Sequence, residues 1–391
     1  MFMAWVVMVL IYGWYTGWDN IVHRPIPPNH MPLRPVTLDD SMLGQSLPWD
    51  LYTVSGVLIA RAGMMLADAE HLAKLMDRPL FREATGADAD MSARLRRLVR
   101  NFPLAFNAVG TERLEPTIRI LGHEIKSLAR LDHDACLGLM RLLPMADPAA
   151  RHCLLTALIA LDMAEQMSAP DDPLIDVTVH AALTMNIAAM RLHGELTERQ
   201  NFSNQTQRDS IAHHPQDSLN LLKTSGLRDQ DWLTAVGQHH ENLDGSGYPN
   251  GLCGDAIGSA ARIIRIADFY GAKIRGRRYR PALSARSAFK QIFGDERGRL
   301  DSHFALLLLR RLGLHPPGTL LRLADREVAV VTRKQGSGET PGKVIAFLGP
   351  HGHLLKASVE RNTKLVDYAI FDVVEADASW PEIRWECFWG Y

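Results

Sequence analysis

His239-His240-Glu241-Asn242-Leu243-Asp244-Gly245-Ser246-Gly247-Tyr248-Pro249 is the stretch on which the reading of this chain turns. Adjacent residues on a helix diverge by about 100°, because a turn takes about 3.6 residues. Two neighbouring imidazoles therefore serve one site only where the helix stops. The glycines stop it there and let backbone pass close to a ligand. Histidine is also concentrated around this point. Seven of the 16 histidines fall between His152 and His240, about twice an even spread.

Outward from this loop, residues 149–312 read as a run of helices, with apolar positions three and four apart. Their expected spans are 149–166, 174–192, 208–224, 231–240, 259–274, 283–293 and 301–312. A further helical stretch is expected over 92–143, closed by Asp147-Pro148. Residues 31–85 alternate short apolar runs with turn residues. They predict strands around 45–52 and 56–65 and a helix near 69–76, followed by a linker at 86–90. Beyond Pro316-Pro317-Gly318, β-rich runs are expected at 319–323, 328–332 and 344–348, with a hairpin loop at 335–342. The fold class is thus mainly α: a helical domain with a strand-rich N-terminal module and a β-rich C-terminal appendage. The expected divisions are 1–30, 31–90, 91–147, 148–315 and 316–391.

Composition limits the function classes. Across 391 residues, 43 Lys+Arg nearly cancel 44 Asp+Glu. No protein-wide basic field exists to attract DNA. The four cysteines, Cys136, Cys153, Cys253 and Cys387, form no CxxC pair; this argues against a disulfide framework and fits a reducing cytoplasm. Residues 1–18 carry no charged side chain, the lower limit of length for a membrane span. They read either as an inner-membrane anchor or as a start assigned too early.

The 239–249 stretch resembles the hallmark of HD-GYP proteins, a branch of the HD phosphohydrolase superfamily. His214-Pro215 resembles that family's His-Pro step, and the Arg262–Tyr270 segment resembles the helix bearing its last metal-binding aspartate, here Asp268. His152 falls at the family's first histidine ligand. The resemblance implies an all-helical HD-type domain that acts on cyclic di-GMP or a related dinucleotide at an iron or manganese cluster. It implies metal ligands at His152, His214, His239, His240 and Asp268, and substrate contacts at Gly247, Tyr248, Pro249, Arg277 and Arg280. Guanidinium forks suit phosphate oxygens.

The family's signature His-Asp pair and its lysine are missing. Alignment through Ile187 puts Met185, Asn186 and Ala189 at those positions, on what is expected to be one continuing helix. The acidic ligand before the first histidine falls on Pro148. A neutral amide cannot bridge two hard cations as a carboxylate does, and a thioether is a soft ligand. At most one ion is therefore expected, on His214, His239 and His240. The resulting expectation is a receptor or interaction scaffold in cyclic di-GMP signalling with hydrolysis lost or residual. It would meet other signalling proteins through the 244–249 loop. The alternative is a working metal-dependent phosphodiesterase.

Overall fold

A computed structural model describes residues 33–391, except 37, 39–41, 54–56, 77–79, 84–85, 146, 191–204, 276–281 and 335–340. The expected anchor at 1–18, Arg277, Arg280 and most of the 335–342 loop therefore lie outside the described residues. No helix among the described residues is long and apolar enough to cross a membrane.

The chain divides into two compact units. Among the described residues, one comprises those from Leu33 to Ala89 with 356–359 and 389–391, and the other holds the rest. In the first, β1 (Leu33–Val36), β2 (Leu51–Tyr52), β3 (Leu58–Ala60) and β4 (Leu80–Glu83) form an antiparallel sheet in the order β1-β4-β2-β3. Helix α1 (Ala69–Met76) lies where the sequence predicts it. Leu38, Leu47, Leu51, Leu66, Leu72 and Leu75 form the core. The strands are shorter than expected. Asp50 Oδ1 accepts from the Ala62 amide at 2.7 Å, so a side chain takes the place of a ladder partner.

Helices α2 (Gly86–Ala105) and α3 (Leu114–Leu142) follow, the second unit starting at Asp90 within α2. One expectation is corrected here: residues 86–90 are the first turn of α2, not a linker. The helical stretch expected over 92–143 is present as two helices. The chain breaks between the two helices through a short 3₁₀ turn and Gly110 at φ +80°, a conformation that costs glycine little. Within α3, Asp132 leaves helical geometry (φ −160°, ψ 91°). Its carboxylate accepts from the Ala135 amide at 3.0 Å and from Arg333.

Capping aspartates start the next helices. Asp147 accepts from the Ala149 and Ala150 amides at the head of α4 (Pro148–Met167), and Asp172 from Leu174 N at the head of α5 (Pro173–Thr184). Proline fills the first helical position in both, where a missing N–H costs nothing. Apart from the partly exposed Arg151, α4 is buried from Ala149 to Ala164, making it the axis of the core. Packed against it are α3, α5, α8 (Ser259–Ile274) and α10 (Ser302–Leu312); α6 (Gln205–Thr224) packs on α7 (Gln230–Gln238), which rests on α5 and α8, and α9 (Ala285–Phe293) packs on α8 and α10. Arg311 of α10 forks onto the buried Asp162 of α4.

Helix α5 stops at Thr184, short of the expected continuation through 192. Residues 185–189 instead form tight turns, with Ile187 N bonded to Thr184 O and Ala189 N to Asn186 O. The Thr184 hydroxyl bonds back to His180 O and accepts from Trp232 Nε1 at 2.8 Å. Met185, Asn186 and Ala189 are thus past the end of the helix, and all three are buried.

A second antiparallel sheet follows in the order β8-β7-β6-β5-β9. Its strands are β5 (Leu320–Leu323), β6 (Val328–Val330), β7 (Lys343–Leu348), β8 (Leu354–Asn362) and β9 (Ile370–Val374). The inner three match the expected runs closely. The two edge strands are half-exposed and carry charged residues, so they lack the apolar signal of the inner ones.

Candidate functional site

Three histidines converge from two elements. His214 sits inside α6, while His239 and His240 occupy the turn after α7. Helix α7 ends at Gln238, one to two residues earlier than expected, so both rings leave from its C-terminal end. His214 Nδ1 lies 2.6 Å from Ile211 O, and His239 Nδ1 lies 2.6 Å from Val236 O. A carbonyl only accepts, so Nδ1 carries the proton in both rings. Their Nε2 atoms, each left with a lone pair, face one another at 3.1 Å.

Burial keeps the cluster neutral. It pushes the His239 pKa down to about 3, with His214 adding to the effect, and drives His240 well below its usual value. Three neutral imidazoles with ligand nitrogens within 4.8 Å of one another form a donor set for one transition-metal ion. The carbonyls that orient two of the rings are the partners such ligands ordinarily have.

His152 of α4 and Asp268 of α8 form a buried pair beside this cluster, with Nε2 to Oδ1 at 2.6 Å. Burial alone would raise the Asp268 pKa. Its bond to His152 and the fields of His152, His240 and His239 overcome that and hold it well below the carboxylate range. The structure thus brings all five expected metal ligands together as a histidine triad and a His-Asp pair. The turn after α5 completes the neighbourhood without adding charge. Asn186 Nδ2 lies 4.0 Å from Cys153 Sγ, and its buried Oδ1 has no partner. The residues present fit one ion at the triad. Among the described residues, the turn after α5 adds no second carboxylate beside Asp268.

Tyr248 stacks on His240, with ring centroids 4.7 Å apart and planes 24° apart, and its amide donates to His240 O. The Tyr248–Pro249 bond is cis. A Cβ at Gly247 would come within 2.3 Å of Asn242 N and 2.5 Å of Glu241 Cα, so only glycine fits that position. Asp244 and Ser246 are exposed at the tip.

Glu241, whose role was not read from the sequence, is the loop's organiser. It is buried, and its two carboxylate oxygens accept from the amides of Asn250 at 2.7 Å and Leu252 at 2.9 Å. Asn242 Oδ1 accepts from Arg265 Nε and Nη2, which ties the loop to α8. A charged residue directly before a glycine-rich turn was the available signal.

His133-Asp134, a His-Asp dipeptide outside the motif order, lines a separate cavity of about 210 Å³ with Asp162, Arg311 and Arg333. His180 packs on Trp232 and against Gly122 as a core histidine.

Comparison with known proteins agrees with this geometry. Residues 128–304 match the HD domain family. The chain is 25% identical over 224 residues to the cyclic di-GMP phosphodiesterase PA4108 of Pseudomonas aeruginosa, covering 57% of this chain and 54% of that protein. It is 23% identical over 180 residues to the cyclic di-GMP phosphodiesterase PdeB of Borreliella burgdorferi, covering 46% and 47%. A third relative, the 3′3′-cGAMP-specific phosphodiesterase 1 of Vibrio cholerae, is 43% identical over 76 residues, covering 19% and 18%. The chain spans about half the length of the first two relatives. The His-His-Glu loop, the preceding His-Pro step and the Asp268 helix are thus assembled around one cluster inside the segment that matches the HD domain family, and the loop resembles the HD-GYP form.

Proposed function

We propose that this protein is a cyclic di-GMP signalling protein whose HD domain holds one iron or manganese ion and binds the dinucleotide, with hydrolysis lost or residual. One contrast carries the reading. The three-histidine cluster is intact, with its rings oriented for an ion, whereas the neighbouring turn presents the neutral, buried Met185, Asn186 and Ala189. An ion on His214, His239 and His240 would supply a Lewis acid for one phosphoryl oxygen. Gly247, Tyr248 and Pro249 would form the wall against which a base packs, and Arg277 and Arg280 would meet phosphate. The exposed tip at Asp244 and Ser246 would face partner signalling proteins.

The retained His152–Asp268 pair favours a second reading, an active phosphodiesterase. A buried carboxylate held in its charged form next to the triad is a ready ligand if His152 releases it. One preparation decides between the two: metal analysis together with cyclic di-GMP binding and hydrolysis. One ion, measurable binding and intact nucleotide support the receptor. Two ions with brisk turnover establish the enzyme and end the receptor reading.

A further inference from the structure

Away from the histidine cluster, a cleft of about 1240 Å³ opens between the helical core and the second sheet. Its core side is formed by Arg141 at the end of α3, Arg151 and Leu155 of α4, and the Leu283–Arg286 segment; β9 forms the opposite wall. None of the five expected metal ligands lines it. Arg141 and Arg151 are both partly buried and bind only uncharged acceptors. Arg141 Nη1 donates to Pro316 O, Pro317 O and Thr319 Oγ1 at 3.0–3.3 Å. Arg151 donates through its two Nη groups to Arg141 O and Leu143 O. Neither meets a carboxylate among the described residues. Arg141 Nε and Nη2 and Arg151 Nε meet no protein acceptor there.

A guanidinium removed from water is costly unless a counter-charge compensates it. Burial lowers the pKa of both groups, and no carboxylate works against it; for Arg141 only the Tyr270 phenol does. Arginine stays protonated in proteins, so two cations converge on this cleft without an internal anion. Arg275 and Arg286 add positive charge along the same wall, and His315 lines the cleft with its Nδ1 buried and without a hydrogen-bond partner. The acidic residues lining the cleft are Asp372 and Glu375, both exposed on the β9 side. Each is engaged by a backbone amide, from Val373 and Ala282 respectively. Leu155, Leu320, Ile370 and Val373 supply apolar surface. The volume far exceeds what a bare inorganic anion fills and lies somewhat above the roughly 300–1,000 Å³ of ordinary small-molecule sites.

We propose that this cleft is a second ligand site, which takes a nucleotide-sized organic phosphate: the phosphate between Arg141 and Arg151, the flat apolar body against the β9 wall. Guanidinium forks match phosphate oxygens two at a time, and the mixed lining suits a base better than a second charge. The site is independent of whether the histidine cluster hydrolyses anything.

Isothermal titration on the full chain tests this with 5′-GMP, ATP and inorganic phosphate as probes. The nucleotides should bind the parent protein. Charged hydrogen bonds are worth about 1.5–3 kcal/mol, so Arg141→Gln and Arg151→Gln should each weaken binding about tenfold or more. Arg286→Glu, on the exposed face of α9, should weaken it several-fold and guards against misfolding in the two buried variants. His240→Ala, which dismantles the histidine cluster, should leave the affinity unchanged. Silence with all three probes, or affinities unmoved in every arginine variant, overturns the proposal. Loss confined to His240→Ala overturns it too, because binding would then belong to the cluster. Inorganic phosphate binding as tightly as the nucleotides removes the organic body from it.

Discussion

Replacing Asn186 with aspartate tests the metal reading most directly. The side chain is 2% exposed, its Oδ1 has no partner, and its Nδ2 lies 4.0 Å from the Cys153 sulfur. The change preserves shape and adds a carboxylate where nothing compensates it. Asp268, already charged nearby, makes matters worse. An uncompensated buried charge costs about 3–5 kcal/mol. At roughly 2–4 °C per kcal/mol for a large domain, the metal-free variant should melt about 6–20 °C below the parent. The deficit should shrink as pH falls, because a protonated carboxyl carries no charge. Manganese should then restore stability, by about 2.7 kcal/mol at a hundredfold excess over its dissociation constant. The restoration should exceed that of the parent, whose cluster lacks the extra oxygen ligand. Thermal unfolding followed by circular dichroism, in EDTA and then in Mn²⁺, reads both effects. Equal melting in EDTA with no added response to manganese would mean that residue 186 does not face the ion site.

The triple change Met185→His, Asn186→Asp, Ala189→Lys should raise metal content from one towards two ions per chain and bring out cyclic di-GMP hydrolysis, read by metal analysis and nucleotide chromatography; no change in either counts against the alignment of this turn. Gly247→Ala forces a Cβ within 2.3 Å of backbone, so metal and dinucleotide binding should fall at least tenfold while helical content holds; wild-type binding would show that the loop shifts freely. Arg277→Ala and Arg280→Ala should weaken cyclic di-GMP binding by about tenfold, given charge-assisted contacts of roughly 1.5–3 kcal/mol each. For pH, burial lowers His180 to about 4 and His239 to about 3. The unfolded chain, titrating near 6.5, therefore binds more protons below that point. In EDTA, stability should be full above about pH 6.5 and fall towards pH 4, by at most about 1.4 kcal/mol per pH unit per histidine. Urea midpoints that stay flat between pH 7 and 5 contradict this.

Where the sequence carries its own local signal, the elements fall where expected. Asp147-Pro148, Asp172-Pro173, Asp229 and Asp301 each start a helix with a capping carboxylate, and that chemistry needs only neighbours in the chain. The end of α5 was not legible. Apolar periodicity runs on past Thr184, and the hydroxyl's partner, Trp232 Nε1, lies 48 residues away. The edge strands β8 and β9 hid behind charged residues for the same reason: their place comes from the strand beside them. At the site, the His239–Pro249 loop could be read within eleven residues. The His152–Asp268 bond spans 116 positions and was reachable only through resemblance. Glu241 was in plain view, but its partners are two main-chain amides that no side-chain pattern records.

Those main-chain partners make the two halves of the site unequal in how easily they can be erased. His214 and His239 are each aimed by the carbonyl three residues earlier, and Glu241 holds the adjoining loop through amides. Every amino acid supplies the carbonyl, and every one but proline the amide. A mutation elsewhere in the chain cannot delete them without unravelling the turn, so this half tolerates drift. His152 and Asp268 are aimed by each other's side chains, and the turn at Met185 and Asn186 contributes through side-chain identity alone. Single codon changes suffice to silence that half. Under relaxed selection, a site built this way would lose the half aimed by side chains before the half aimed by the main chain.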